Sequence, residues 1–365
     1  MTAFGTHAKT SHELCYEAVQ EALKDGNVDA SSIDAIVVGR NDFMDDGEHQ
    51  RLFAGIVANL FQRPIPIFQI SAACASGSVA LYNAAKLDAK NVLVLGVEKL
   101  TPQTSAQATS EILTAAESVY EQAEGVIFPA QYALVAQHYM KKYDVSMDDL
   151  GLVAIKNHQN ACLNEKAKFF NKIITMELVR KSPIVCSPFR LLDCSISVDG
   201  AAAIIISSEK TDIEIAGAAM ATSRLGIFES QDMASFEATK TAAAQAFAKA
   251  QISAADIQCA EVHDAFTSAE LMAYEDLGFA KPGEAKDLIR KGVTKLAGTL
   301  PINTSGGLKA RGHPVSATGL AQIYELVKQM RGKAGKRQVH AIKHALAHNM
   351  AGCGTTAVVH ILRNA

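Results

Sequence analysis

Two segments far apart in the chain each present a reactive side chain just ahead of a helix. The first is Ile70-Ser-Ala-Ala-Cys-Ala-Ser-Gly-Ser-Val-Ala-Leu-Tyr-Asn-Ala84, where a short apolar run over 66–70 leads into Cys74. Val79, Ala80, Ala84 and Ala85 then recur at helix spacing, so Cys74 is expected at a strand-to-helix junction. At such a place unpaired backbone N–H groups and the helix dipole favour a thiolate. The second segment is Asn303-Thr-Ser-Gly-Gly-Leu-Lys-Ala-Arg-Gly-His-Pro314. Its glycines allow close backbone approach, and Pro314 suits a first helical turn. A nucleophilic cysteine needs a base within hydrogen-bond reach, and His313 is the candidate. His263, between an apolar strand and a helix over 268–277, is a second. A cysteine among alanines can equally be a small buried hydrophobe, and a single histidine a hydrogen-bonded structural residue. The combination of the three points to nucleophilic catalysis.

The elements that must position these residues alternate. Helix signals over 11–23 and 51–60 interleave with apolar strands over 34–39, 66–70 and 91–97, which predicts a layered α/β sheet. From 101 to 193 the pattern turns mainly helical (110–124, 131–143, 148–159), reading as an inserted cap that could hold a large substrate. An apolar strand returns over 201–207. The chain then repeats itself. Glu17-Ala-Val-Gln-Glu-Ala-Leu-Lys24 followed by Ala30-Ser-Ser-Ile-Asp-Ala-Ile-Val-Val38 has a counterpart in Ala242-Ala-Ala-Gln-Ala-Phe-Ala-Lys249 and Ser253-Ala-Ala-Asp-Ile-Gln-Cys-Ala-Glu-Val262. Each copy runs into an acidic-aromatic pair, Asn41-Asp42-Phe43 and His263-Asp264-Ala265-Phe266. Two such halves set equivalent strand ends side by side, so Cys74 and His313 are expected to share one cleft. The expected domains are an N-terminal half (1–100 plus 194–209) with Cys74, an insertion (101–193), and a C-terminal half (210–365) with His263 and His313.

Composition narrows the classes. At 365 residues, 48% hydrophobic and 20% charged, the chain can bury an ample core. A net charge of −3 argues against a nucleic-acid surface. Seven cysteines without CxxC pairs indicate neither a disulfide framework nor a zinc site, and a reducing cytoplasm is expected. No apolar run reaches the roughly 18–20 residues that span a bilayer. His340, His344 and His348 recur every fourth residue, but their neighbours read as strand and loop, so no metal is expected. Cys15, Cys162, Cys186, Cys194 and Cys259 are read as structural, and Lys309 and Arg311 as a solvated pair.

Taken together and in this order, Ser71-Ala-Ala-Cys-Ala-Ser-Gly77, His263-Asp-Ala-Phe266, Gly306-Gly-Leu-Lys-Ala-Arg-Gly-His-Pro314 and His348-Asn-Met-Ala-Gly-Cys-Gly354 resemble the thiolases. The resemblance is to the branch of sterol-carrier-protein-2-type and archaeal thiolases, acetyl-CoA acetyltransferase-like proteins. It spans nearly the whole chain and implies duplicated α/β/α/β/α layers with an inserted, mainly helical loop domain. It further implies an acyltransferase with no tightly bound cofactor and coenzyme A as substrate or product, which cleaves a 3-oxoacyl-CoA or runs the reverse Claisen condensation. Cys74 would carry the acyl group, His313 would take the thiol proton, and His263 would stabilise the thioester oxygen of the second substrate. The backbone N–H of Cys74 and one near Ala351 would hold the acyl oxyanion. The family's second cysteine is missing: Ala265 and Asn349 stand where it occurs, and Cys353 could replace it only if its loop turned inward. Ser316 stands where the family usually has glycine. The resemblance also implies a homodimer, a possible small zinc-ribbon/OB-fold partner protein, and a strand of about five or six residues ahead of Met1. Two readings remain beside it, a ketosynthase-like condensing acyltransferase and a low-activity thiolase-like subunit of a complex.

Overall fold

The computed structural model describes residues 1–41, 48 and 50–365. Asp42 and Phe43, the first acidic-aromatic pair, lie outside the described residues. In chain order the first half comprises α1 (Ser11–Gly26), β1 (Ala35–Gly39), α2 (Phe53–Ala58), β2 (Ile67–Ile70), α3 (Ser76–Ala84) and β3 (Asn91–Glu98). Next come α4 (Ser105–Leu113), α5 (Phe128–Tyr143), α6 (Met147–Cys162), α7 (Met176–Lys181), β4 (Ile184–Cys186) and β5 (Phe189–Arg190). The chain continues with β6 (Gly200–Ser207), β7 (Ile213–Thr222), α8 (Glu237–Ala250), β8 (Cys259–Glu261), α9 (Thr267–Asp276) and α10 (Ala285–Arg290). It closes with α11 (Gly307–Ala310), α12 (Thr318–Met330), β9 (His344–Ala351) and β10 (Thr356–Asn364).

Local chemistry sets these boundaries. Thr10 and Glu13 form a reciprocal capping box on α1, and Asn27 ends it in the left-handed conformation. Leu14, Cys15, Ala18 and Val19 turn its apolar stripe inward. The helix expected over 110–124 is broken. The Glu117 carboxylate accepts from the N–H groups of Val119, Tyr120 and Glu121 and starts a separate π-type turn over Ser118–Gln122. A short antiparallel hairpin of β4 and β5 also stands in the insertion, which reads in the sequence as mainly helical.

Two four-stranded sheets carry the fold, in the orders β2-β1-β3-β6 and β7-β10-β9-β8. The internal repeat reappears in the pairing. β1 runs parallel to β3 and β3 antiparallel to β6, just as β8 runs parallel to β9 and β9 antiparallel to β10. α1 covers one sheet from outside, α8 the other, and α3 packs against α12 between them. The result is an α/β protein of five layers. The central contact is tight: a Cβ on Gly77 would stand 2.4 Å from the Ser316 carbonyl oxygen, and one on Gly96 2.6 Å from it. Beside the open edge of β6, Thr2 donates its N–H to the Ala201 carbonyl (2.9 Å), and a groove of about 1210 Å³ continues along Ala203–Ser207. Among the described residues no helix is long and apolar enough to cross a membrane.

Candidate active site

Cys74 follows β2 on a single 3-10 turn, Ala73–Ala75, that leads directly into α3. Ala73 is held at φ +46°, a left-handed conformation that a non-glycine residue adopts at a cost of about 1–3 kcal/mol. Ser76 secures the turn by donating its hydroxyl to the Ala73 carbonyl (2.7 Å) and accepting the Ala72 N–H (2.9 Å). The residue is partly exposed while its thiol is ringed by protein atoms, with the N–H groups of Cys74 and Gly352 directed at it. Burial pushes the thiol up to about 12, the negative charge of Glu98 adds to the rise, and the two N–H groups only partly oppose it. The thiolate expected from the helix end is therefore overturned. Desolvation outweighs the dipole, and the resting side chain is a neutral thiol.

His313 stands beyond Gly312, whose φ of +115° admits glycine, and donates its backbone N–H to the Ile196 carbonyl (2.9 Å). Its Nδ1 lies 2.6 Å from the Thr318 hydroxyl, which itself donates to the Pro314 carbonyl (3.2 Å). With its hydrogen so used, the hydroxyl accepts from Nδ1–H, an assignment that leaves Nε2 with a lone pair. Burial, and secondarily the charge of Arg311, hold this imidazole down to about 3, so it is neutral and able to accept a proton.

His263, just beyond β8, lies edge-on to His313 with ring centroids 5.6 Å apart. Its Nδ1 is 2.9 Å from the side-chain nitrogen of Asn349. An amide NH₂ can only donate, so Nδ1 holds the lone pair and Nε2 carries the hydrogen. Burial first, then the neighbouring His313 and His348, keep His263 well below the usual histidine range. The adjacent imidazoles are thus both neutral and of opposite tautomer, one presenting an acceptor and the other a donor.

The turns before α3 and α12 and the end of β9 pack together, so all four sequence segments meet at one place. Within it the structure refines several expectations. The N–H directed at the sulfur belongs to Gly352, at φ +61°, one residue beyond Ala351. Cys353 packs against the apolar cluster of Tyr132, Phe236 and Phe266, where burial raises its thiol. Asn349 sits on His263. Lys309 and Arg311 are buried, not solvated: Lys309 donates to the Cys194 carbonyl (2.8 Å) and Arg311 to the Ser305 hydroxyl (3.1 Å). His344 and His348 lie on a strand, His344 against the Asp256 carbonyl (3.2 Å) and His348 against the Thr239 hydroxyl (3.0 Å).

Sequence reasoning gave four residues no role at the site, although Asn41 and Ser316 were singled out for other reasons. Tyr132 donates its hydroxyl to the Gly352 carbonyl (2.8 Å), and its helix carries no signal for that role. Glu98, Asn41 and Ser316 form a buried cluster behind Cys74. A carboxylate closing the otherwise apolar Val92–Val97 strand was the available sign of it.

Comparison with known proteins shows the family. The thiolase N-terminal domain model matches residues 1–187, and the thiolase C-terminal domain-like model residues 219–364. The acetyl-CoA acetyltransferase of Methanothermobacter thermautotrophicus is 39% identical, over 96% of this chain and 93% of that protein. Sterol carrier protein 2 of Gallus gallus is 34% identical, over 98% of this chain and 69% of that protein. Among solved structures, the Ltp2–ChsH2(DUF35) aldolase superposes with a TM-score of 0.83 at 25% identity, over 100% of this chain and 95% of that one.

Proposed function

The chain belongs to the thiolase family of CoA-dependent acyltransferases, and from that premise we propose that Cys74 carries the acyl group with His313 as its base. The Cys74 proton passes to Nε2 of His313 as the sulfur attacks the carbonyl carbon of a 3-oxoacyl-CoA. The N–H groups of Cys74 and Gly352 meet the oxyanion. Such fixed donors cost no reorganisation when charge develops. Cleavage of the carbon–carbon bond leaves the acyl group on sulfur and releases the enolate of acetyl-CoA, whose thioester oxygen takes a hydrogen bond from Nε2–H of His263. The enolate carbon recovers a proton from the His313 imidazolium, because Ala265 and Asn349 offer no acid where relatives have a cysteine. In the second half the thiol of free CoA gives its proton to His313 and attacks the acyl-enzyme, the Cys74 thiolate leaves, and the His313 imidazolium returns the proton to its sulfur. The observation that carries this reading is the pair of neutral imidazoles of opposite tautomer, His313 lying on a segment whose following turn packs against the turn that bears Cys74.

The domain limits follow the same reading: two halves, 1–100 with 194–209 and 210–365, around the insertion 101–193. Homodimer formation is supported by β2, an edge strand with Phe68 49% exposed that could pair with a second copy. The DUF35 protein named with the aldolase relative supports a small partner protein. The free cysteines fit a reducing cytoplasm.

Intact-protein mass spectrometry after exposure to a panel of acyl-CoA and 3-oxoacyl-CoA thioesters tests the mechanism. The expected result is one acyl adduct on the wild type and none on Cys74→Ser. An adduct that survives the substitution, or no adduct from any thioester, overturns it. Acylation from a carrier protein but not from CoA would favour the ketosynthase-like reading.

A further inference from the structure

Behind the nucleophile lies a buried carboxylate that the mechanism does not use. Glu98 ends β3 beneath the turn that bears Cys74 and is 2% exposed. Its Oε2 accepts from the Ser316 hydroxyl (2.7 Å) and the Asn41 side-chain nitrogen (3.0 Å). Asn41 also donates to the Ala73 carbonyl (3.3 Å), and its own carbonyl accepts from the Ser71 hydroxyl (3.0 Å). The strained Ala73 conformation, and with it the direction of the Cys74 side chain, is thus tied through one amide to Glu98.

We propose that Glu98 is a positioning residue for Cys74: through Asn41 and Ser316 it clamps the nucleophile's turn, and its charge opposes loss of the thiol proton to solvent, so that deprotonation waits for His313. This rests on Cys74 being the acylated residue. Facing the carboxylate are Arg40 and Asn41 at the end of β1, Ser316 from the turn before α12, and Cys74 from the turn before α3. Burial dominates these partners and lifts Glu98 to about 7, while Ser316, Arg40 and Asn41 pull it down. Its charge in turn raises the Cys74 thiol. Glu98 therefore ionises in the range where a cysteine would otherwise become reactive. A solvent-initiated side reaction is suppressed while substrate-linked transfer to His313 is retained.

The test is the rate of alkylation of Cys74 by iodoacetamide, followed by peptide mass mapping from pH 5.5 to 9. In the wild type the rate should rise by less than the tenfold per pH unit of an isolated thiol across pH 6–8. Glu98→Gln keeps an acceptor for Ser316, and should restore the full slope and react several-fold faster at pH 8. Ser316→Ala removes a bond that favours the ionised carboxyl, so the depressed region should move to higher pH. An unchanged profile in both variants overturns the proposal, and Ser316→Ala alone decides it should Glu98→Gln fail to fold. Failure of the wild type to form an acyl adduct at Cys74 would instead refute the nucleophile assignment, which separates the two claims.

Discussion

Replacing Tyr132 with phenylalanine removes one oxygen and little else. The phenol donates to the Gly352 carbonyl at 2.8 Å, deep in the protein, and the ring is held by Phe266 (centroids 4.6 Å apart) and Phe236 (6.2 Å). The ring should stay in place and no cavity should open. The loss is then that of one buried hydrogen bond with its carbonyl left unpaired, about 1–3 kcal/mol of stability. The catalytic consequence comes from the next atom along. Gly352 presents its N–H to Cys74 while its carbonyl is tethered to Tyr132, so freeing the carbonyl loosens the donor aimed at the oxyanion. Complete loss of such a donor costs on the order of 10²–10³ in rate, and a loosened one should cost about 10- to 100-fold. The assay pairs steady-state thiolysis with the rate of adduct formation at Cys74 and a thermal melt. The expected outcome is a lower kcat and slower acylation with KM little changed. A lowered melting temperature with unchanged kcat and acylation would show that Tyr132 supports the fold alone and that Gly352 is held by other means.

Asn349→Ala frees His263 to adopt the other tautomer, so thiolysis should slow about tenfold while alkylation of Cys74 by iodoacetamide is unaffected; equal loss in both would place Asn349 on the nucleophile's side. Gly319→Ala should lower the melting temperature, because its Cβ would stand 2.0 Å from the Ser78 hydroxyl and 2.9 Å from the Asn349 carbonyl oxygen, overpacking worth about 1–3 kcal/mol. Stability should carry the sign of Glu98. A carboxyl raised on folding from its ordinary value to about 7 stabilises the fold fully below pH about 4.5 and loses that contribution as pH rises through about 7. Relative to Glu98→Gln, the wild type should therefore lose stability between pH 5 and 8, by up to roughly 3 kcal/mol at about 1.4 kcal/mol per pH unit, read as a falling melting temperature. A difference that stays flat or grows with pH refutes the assignment.

The alternation of apolar strands with helices, the repeated helix-turn-strand unit and the helical stretch between the halves were all legible, because each rests on local periodicity or on self-similarity along the chain. The local settings of Cys74 at a helix start, of His263 just past a strand and of His313 beyond a glycine turn were legible for a related reason. Small residues and glycines must surround a side chain that a substrate has to reach, and that demand is written beside them. The break at Glu117 was missed because a carboxylate that caps its own next turn looks like any other helical glutamate. The π-type turn it starts shares the helix's apolar spacing.

Lys309 and Arg311 mark the boundary between the two kinds of knowledge. In the sequence they are two cations near a glycine turn, and exposure is the ordinary expectation. In the fold both are buried, Lys309 donating to the carbonyl of the distant Cys194 and Arg311 facing the carboxylate of Glu261 at 3.5 Å. The state of Cys74 shows the same division. Its place at a helix start is a local property, readable from residues 70–85. Its charge is not, because desolvation and Glu98 act on it through groups brought in by β1, β3 and the turn before α12. Composition and spacing set which chemistry this chain could attempt. Which atoms hold protons at rest depended on dielectric and partner geometry, quantities that exist only once strands far apart in the chain have closed around the same few ångströms.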